Sequence, residues 1–190
     1  PQGIVNPGAL AQKSLHLVGG MTYDFKWGNH EKDFRFITEI YYKRLWDLIS
    51  YDVDNVRIRY SGDNDATGYV MGADFRVNGE FVPGAESWFN ISILSARESL
   101  DNVQHLRREI GDTVATNVNY VPRPSDQTVT ASIFFQDYLP KNENIKTHLN
   151  FSMGTGLPFG LRDNNRVYRN TYRFPIYHRT DLGFSIQLWN

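Results

Sequence analysis

The chain has 190 residues, of which 22% are charged, and its formal net charge is −1. This length is sufficient for one domain with a sizeable core, and the balanced charge gives no electrostatic reason to expect nucleic acid as a partner. The sequence contains no cysteine, which excludes disulfides and thiolate metal sites, and the lack of any apolar run of about 18 residues excludes a membrane-spanning helix.

Alternating apolar and polar residues predict a series of long β-strands after an irregular lead-in at residues 4–12. The predicted strands are Lys13 to Trp27, Phe34 to Lys43, Tyr69 to Asn78, Glu86 to Ser95, both strands of a hairpin within Gln127 to Gly156, and a last strand that includes Leu182 to Leu188.

The hairpin shows the alternation most clearly. Ile133 and Phe135 lie on one face of its first strand, with Ser132 on the other, and Phe151 opposes Ser152 on its second strand, because successive side chains of a strand point to opposite faces. The sheet therefore has an apolar face and a polar face, and the apolar face requires either a protein core or lipid against it.

The connections between these strands are predicted to be short and long in turn. The short ones lie near Gly28, Gly79 and Pro140, and the long ones are Arg44 to Thr67, Arg97 to Asp126 and Leu157 to Arg179. Within the long ones, Val56 to Tyr60 allows a short strand or the top of a long one, and Ala96 to Asp112 allows a turn or two of helix. Outer-membrane barrels have tight periplasmic turns and long external loops, so this order predicts that the long connections lie outside the cell.

Strand length and the placement of aromatic residues also favour an outer-membrane barrel. Strands of about ten residues suit a tilted membrane span, and aromatic belts mark the two lipid–water interfaces, although aromatics also fill ordinary cores. The predicted belts are Phe25, Trp27, Phe34, Phe81, Trp88, Tyr138 and Trp189 near the short turns, and Tyr41, Tyr42, Trp46, Tyr69, Tyr172 and Tyr177 near the long connections.

Four segments also carry a family resemblance that covers nearly the whole chain. They are NPGALAQKSLHLVGGMTYDF from Asn6, FITEIYYKRLWDLISYDVDNVRIRY from Phe36, VPRPSDQTVTASIFFQDYLPKNENIKTHLNFSMGTGLPFG from Val121, and RNTYRFPIYHRTDLGFSIQL from Arg169. In order and spacing they resemble the late barrel strands of TonB-dependent outer-membrane receptors, especially the group with a carboxypeptidase-like N-terminal regulatory domain. Ala11 departs from the family, which usually has Pro there.

The resemblance implies that residues 1–190 are part of a receptor β-barrel domain whose plug and last strands are absent from these residues. The implied fold class is all-β: an antiparallel up-and-down transmembrane β-barrel segment of about seven or eight strands, within a barrel of about 22 strands. The implied function is active transport across the cell outer membrane, in which TonB supplies the energy to import a scarce nutrient such as a metal chelate, vitamin or saccharide.

The same resemblance implies the partners of the chain. These are outer-membrane lipid and lipopolysaccharide, the TonB complex through the missing N-terminal plug, and a small-molecule ligand, with no nucleic acid. We expect no enzyme activity, no cofactor and no metal.

Ligand contacts are expected in the long connections, because binding residues on a rigid scaffold concentrate in its loops. Arginine supplies planar hydrogen-bond donors and tyrosine an amphipathic stacking surface, which suits an anionic or a hydroxyl-rich ligand. Packing between loops, or pairing with lipopolysaccharide, explains these residue types equally well. The candidates are Tyr51, Arg57, Arg59, Tyr60, Arg162, Arg166, Tyr168, Arg169, Tyr172 and Arg173.

Other possible sites are better explained as ordinary structure. The five histidines show no spacing typical of metal ligands. Asp63 to Asp65 lacks the spacing of a calcium loop, and Gly154 to Gly156 lacks the Lys and helix of a phosphate loop. No Gly-x-Ser-x-Gly elbow is present, so nucleophilic hydrolysis has no support.

Two other functions remain open at this point. A soluble ligand-binding antiparallel β-barrel would point the apolar face inward and expose charges such as Arg35 and Asp74 to bulk water. An outer-membrane enzyme or adhesin with a small barrel would share the lipid-facing surface, but the absence of any catalytic constellation and the long family resemblance both disfavour it.

Overall fold

A computed structural model describes residues 6–54, 57–107, 113–160, 170 and 172–187. All regular secondary structure in these residues is β-strand, and the strand pairs are antiparallel. The predicted all-β, antiparallel class is therefore confirmed. Within the described ranges there is no helix of the length and apolarity that a membrane crossing needs.

Among the described residues, seven long strands form the main sheet, and five strands of two or three residues lie in the connections between them. In chain order the strands are β1 (Lys13–Phe25), β2 (Phe34–Asp54), β3 (Arg57–Val82), β4 (Ala85–Leu100), β5 (His105–Arg107), β6 (Thr116–Val118), β7 (Val121–Pro122), β8 (Val129–Leu139), β9 (Asn142–Gly154), β10 (Pro158–Phe159), β11 (Tyr172–Arg173) and β12 (Tyr177–Ile186).

The main sheet is an up-and-down meander in the order β1-β2-β3-β4-β8-β9-β12, with β7 added beside β4. The pair β5–β6 lies in the connection between β4 and β8, and the pair β10–β11 lies between β9 and β12. In the part of the chain that the structure describes, β1 and β12 each have one neighbour, so these strands form an open sheet.

The strand register sorts the side chains into two faces as the alternation predicts. Direct cross-strand partners share a face. One continuous row across six strands is apolar and consists of Tyr23, Phe36, Val77, Phe89, Ile133 and Phe151. The adjacent row on the other face is mainly polar and consists of Thr22, Ile37, Arg76, Asn90, Ser132 and Ser152.

The prediction of a long connection from Arg44 to Thr67 is wrong, except that residues 57–60 do belong to a long strand, which was one of the two alternatives for Val56 to Tyr60. Strands β2 and β3 continue through it as a two-stranded ribbon whose last described pair is Asp54 with Arg57. The register shifts three times between Leu45 and Tyr51, and Asp47 there has a φ of 52°. These bulges break the two-residue period, so alternation did not show that β2 continues beyond Lys43.

The predicted helical turns in Ala96 to Asp112 are also absent from the described residues of that range. Ala96 to Leu100 extend β4 and pair with Val70 to Ala66 of β3. This pairing determines the conformation of the segment, since tertiary context overrides a weak local preference for helix. Residues 108–112 lie outside the described part of the chain.

Phe34 begins β2 directly after the connection at residues 26–33, and 0% of its surface is exposed. Its ring lies 5.5 Å from that of Trp27 and 4.8 Å from that of Phe81, measured between centroids. Gly79 makes room for it, because a Cβ at that position would lie 2.5 Å from the Phe34 ring. This aromatic cluster attaches the 26–33 connection to the sheet.

Trp88 departs from the predicted aromatic belt because it lies on the polar face. It pairs across the strands with Asn78 and Phe134, stacks on Phe134 at 5.8 Å between centroids, and lies under the Arg76 guanidinium at 5.5 Å. Trp189, another predicted belt residue, lies outside the described residues.

Candidate functional site

The two ends of the main sheet differ as the loop order predicts, although a ribbon of β2 and β3 takes the place of the first predicted long connection. At one end the strands are joined by residues 26–33, 83–84 and 140–141. At the other end, which we call the loop end, lie the β2–β3 ribbon and the connections at residues 101–128 and 155–176. All the predicted ligand contacts that the structure describes are at the loop end.

The outer ribbon, residues 48–54 with 57–65, has two chemically different faces at its tip. Tyr51 pairs with Tyr60, and Val53 pairs with Ile58, on one face. The two tyrosine rings are 5.7 Å apart between centroids and tilted by 50°, and Tyr60 is 63% exposed. An aromatic and aliphatic surface is thus presented to the surroundings of the ribbon.

The other face of the ribbon tip carries charges of opposite sign. Asp52 pairs with Arg59 and Asp54 with Arg57 across the two strands. Oppositely charged cross-strand partners attract each other. Asp52 and Arg59 therefore place a negative and a positive side chain side by side on this face.

The Asp65 side chain binds Ser50 at the base of the ribbon, where the register of β2 and β3 shifts. Its Oδ1 accepts a hydrogen bond from the Ser50 backbone N–H at 2.8 Å, and its Oδ2 accepts one from the Ser50 hydroxyl at 2.7 Å. Burial raises the pKa of the Asp65 carboxyl, but the hydrogen bonds from Ser50 and Ser61 outweigh burial, so that its pKa lies below its ordinary value.

Asn64 ties the lead-in segment to the same region. Its Oδ1 accepts from the Leu10 N–H at 2.6 Å, and its Nδ2 donates to the carbonyls of Leu10 at 3.0 Å and Asp47 at 2.6 Å. Asn6 adds a hydrogen bond from its Nδ2 to the Gly62 carbonyl at 3.2 Å. The side chain of Asn64 thus replaces the backbone pairing that the bulge at Asp47 removes.

A buried carboxylate, Asp126, joins the two large connections to β4. Its Oδ1 accepts from the Ala96 N–H at 2.6 Å, and its Oδ2 forms an ion pair with the guanidinium of Arg173. Arg173 also donates to the carbonyls of Asp126 at 2.7 Å and Gly156 at 3.1 Å. The Asp126 side chain is 1% exposed, and this group of contacts is called the Asp126 latch below.

A second set of contacts lies beside the latch. Arg123 lies 3.2 Å from the carboxylate of Glu98, whose side chain is 2% exposed. Asn170 donates from its Nδ2 to the Pro122 carbonyl at 2.8 Å. Connections that read as polar loops in the sequence are thus packed against the sheet through buried polar groups.

The structure places six of the ten predicted ligand residues, in two separate groups. Tyr51, Arg57, Arg59 and Tyr60 lie on the outer ribbon, whereas Tyr172 and Arg173 form β11. The two groups lie apart because the ribbon continues β3, whereas the β10–β11 pair follows β9. Strands β4 and β8 lie between β3 and β9 in the sheet. The other four candidates, Arg162, Arg166, Tyr168 and Arg169, lie outside the described residues.

Glu98, Asp126 and Asn170 are residues of the loop end that sequence reasoning missed. Asp126 follows a Pro-Ser turn in VPRPSD, and its backbone N–H bonds to the Arg123 carbonyl at 2.9 Å. A turn of this kind is recognisable in the sequence. Its partner Arg173 is 47 residues away, so the pairing itself has no local signal.

The polar face has a small cavity of 310 Å³ near the middle of the sheet. Hydroxyl and amide groups from three strands line it, including Asn90, Ser92, Thr130, Ser132 and Ser152. The side-chain carbonyl oxygen of Asn90 is buried there and accepts no hydrogen bond from the described residues. Across the described ranges, no three His, Asp or Glu residues lie close enough together to hold a metal ion.

The chain was compared with protein-family models, with curated proteins and with solved structures, and none of them matches it.

Proposed function

We propose that this chain is part of the β-barrel of an active transporter in the cell outer membrane, which imports a scarce nutrient with energy supplied through TonB. In this proposal the apolar face contacts lipid, the polar face lines the lumen, and the loop end lies outside the cell, near lipopolysaccharide and the incoming ligand. The plug, its contact with TonB and the remaining strands of a barrel of about 22 strands belong to other parts of a longer polypeptide.

One observation carries the proposal, namely the exposed apolar face of the main sheet. Leu17 is 61%, Ile40 64% and Leu182 76% exposed, and they belong to β1, β2 and β12, at both ends of the strand order. Contiguous apolar surface of this extent marks an interaction with protein or lipid. Lipid is the occupant that also suits the long strands and the unequal ends of the sheet.

A soluble ligand-binding β-barrel is the alternative, and it places the same face in a closed core. The two functions differ in what the apolar side chains contact. Single cysteines introduced into the full-length protein, after any cysteines outside these 190 residues are replaced, can report this, because residues 1–190 contain no cysteine.

The experiment attaches a polarity-sensitive fluorophore to Leu17→Cys or Phe151→Cys on the apolar face, and to the matched controls Thr22→Cys or Ser152→Cys on the polar face. In vesicles that contain nitroxide-labelled lipid, we expect quenching at the two apolar positions and little at the two polar positions. Equal quenching on the two faces, or apolar positions shielded from both nitroxide lipid and aqueous iodide, would contradict the proposal.

Transport itself requires a separate measurement in cells. A strain without the full-length protein is expected to lose energy-dependent accumulation of one nutrient, and the gene restored in trans is expected to recover it. Unchanged accumulation of all nutrients supplied, with loss of surface attachment or of a surface enzyme activity instead, would assign the barrel to an adhesin or an enzyme.

A further inference from the structure

The outer ribbon extends beyond the strands that flank it in the main sheet. The outermost pair of β1 with β2 is Lys13 with Trp46, and the outermost pair of β3 with β4 is Ala66 with Leu100. Beyond these pairs, β2 and β3 have only each other as strand partners in the described residues. A two-stranded hairpin by itself is at best marginally stable in water, so the position of the ribbon depends on what holds its base.

The base of the ribbon contains one residue with a left-handed backbone in each strand. Asp47 of β2 has a φ of 52° and Gly62 of β3 has a φ of 91°, and the register shifts at both places. Bulges bend the strands that contain them, and a positive φ is uncommon for a residue other than glycine. The base therefore has the form of a hinge, in which a few residues take up a change of direction.

The hinge is held from two sides by different parts of the chain. On the β4 side, the Asp101 N–H donates to the Asp65 carbonyl at 2.8 Å. On the other side lies the lead-in, whose Leu10 N–H donates to the Asn64 Oδ1 at 2.6 Å and whose carbonyl accepts from the Asn64 Nδ2 at 3.0 Å. The same Nδ2 donates to the Asp47 carbonyl at 2.6 Å, so Asn64 links the lead-in to a hinge residue.

We propose that residues 6–12 are a strap that sets the tilt of the outer ribbon. The bond between Asp101 and Asp65 is the pivot, and the contact of Leu10 with Asn64 is the restraint. The Leu10 side chain is 58% exposed, so the strap holds the ribbon through hydrogen bonds and not through a buried apolar contact.

A restraint of this kind is reversible. A hydrogen bond contributes little net stability to a folded protein, so the strap can detach while the main sheet stays folded. The ribbon then tilts about the pivot, and a change in the path of the lead-in is passed on to the tip of the ribbon. The inference goes beyond the proposed function, because it does not depend on which ligand the loop end meets.

The test measures the distance between two spin labels in the full-length protein in detergent micelles, after any other cysteines are replaced. One label is at Val53→Cys on the ribbon tip and the other at Met71→Cys on the main sheet, where the native side chains are 53% and 45% exposed. The rise of a strand places the labels about 40 Å apart, which suits double electron–electron resonance. We expect one narrow distance distribution when the strap is attached.

The test variant changes the strap and leaves the ribbon sequence as it is. Because proline has no N–H, Leu10→Pro removes the hydrogen bond to Asn64 and should broaden the distance distribution by about twofold. Ala11→Pro is the matched control, since none of the described hydrogen bonds uses the Ala11 N–H, and it should leave the distribution as in the wild type.

Folding is checked with a second label pair, Met71→Cys with Phe151→Cys, which lies within the main sheet and should keep its distance in every variant. If Leu10→Pro does not fold, Asn64→Ala removes the partner of Leu10 instead and should broaden the distribution in the same way.

Three results would overturn the inference. They are a wild-type distribution as broad as that of the strap variant, an unchanged distribution in the folded strap variant, and equal broadening by the two prolines. Each of them leaves the proposed function intact, because quenching of the apolar face by nitroxide lipid tests that function separately.

Discussion

The ion pair between Asp126 and Arg173 joins two long segments of the chain. Asp126 lies in the 101–128 connection, shortly before β8, and Arg173 lies in β11, within the 155–176 connection. The same carboxylate accepts the Ala96 N–H of β4. One buried carboxylate therefore determines how the two connections lie on β4.

We predict that Arg173→Met destabilises the folded chain by about 3 kcal/mol, because it leaves a buried carboxylate without its counter-charge. The matched control is Arg179→Met, which removes an exposed pair with Asp181, at 2.9 Å, and should cost less than about 1 kcal/mol. Urea unfolding from detergent micelles measures both. Equal losses in the two variants would show that the Asp126 latch contributes no more than a surface pair.

The second prediction concerns the faces of β9. Phe151 lies between Ile133 and Thr180 in its row, and Ser152 lies between Ser132 and Arg179 in the next. If Phe151 contacts acyl chains near the bilayer midplane, Phe151→Arg should cost about 2–4 kcal/mol, whereas Ser152→Arg should cost little. The free energy of refolding into lipid vesicles measures the difference. Similar costs at the two positions would contradict the assignment of the Phe151 face to lipid and of the Ser152 face to the lumen.

Alternation was sufficient to predict the class of the fold and the faces of the main strands, because residues such as Ile133 and Phe151 keep a strict two-residue period. It failed between Leu45 and Tyr51, where bulges shift the register. The Asp126 latch was not predictable for a different reason. Its partners Ala96 and Arg173 are 30 and 47 residues away, and nothing in the local pattern marks either one.

In the candidate site, too, the local sequence predicted some features, whereas others depend on residues that are distant in the sequence. Residue type singled out arginines and tyrosines in the long connections as candidates, but what each of these side chains faces depends on pairing across the strands. Tyr60 was predicted together with Arg59, yet the register places the two on opposite faces of the ribbon. Only the cross-strand partners show that the charge of Arg59 is opposed by Asp52.

The third prediction concerns the space that Gly79 leaves for Phe34. A Cβ at position 79 would lie 2.5 Å from a ring that has 0% exposure, so Gly79→Ala should cost about 1–3 kcal/mol through overpacking. Gly19→Ala is the control, since a Cβ there meets no atom within 4 Å. Urea unfolding of both variants tests this, and a neutral or stabilising Gly79→Ala would mean that the Phe34 cluster can rearrange.

The fourth prediction is a pH dependence at Asp65, in the ribbon beyond the main sheet. The folded-state pKa of this carboxyl lies below its ordinary value, because hydrogen bonds from Ser50 and Ser61 outweigh the effect of burial. Its contribution is therefore complete at neutral pH and is lost as the pH falls through the folded pKa, below about pH 4. We expect wild-type chain to be more stable than Asp65→Asn at pH 7, and the difference to shrink at pH 3. A difference that stays constant between the two pH values would assign the effect to shape and not to charge.

The last prediction concerns the attachment of the lead-in segment by Asn64. This side chain makes three hydrogen bonds, to Leu10 N, Leu10 O and Asp47 O, and each contributes about 0.5–1.5 kcal/mol. Asn64→Ala should increase amide hydrogen exchange in residues 6–12 and in the base of the ribbon, while exchange in β8 and β9 stays unchanged. Asn6→Ala is the graded comparison, because Asn6 reaches Gly62 and Asp63 without bridging the bulge, and it should affect the lead-in alone. If Asn64→Ala loosened only the lead-in and left the ribbon as protected as before, the bulge at Asp47 would be held by the strands themselves and not by the Asn64 side chain.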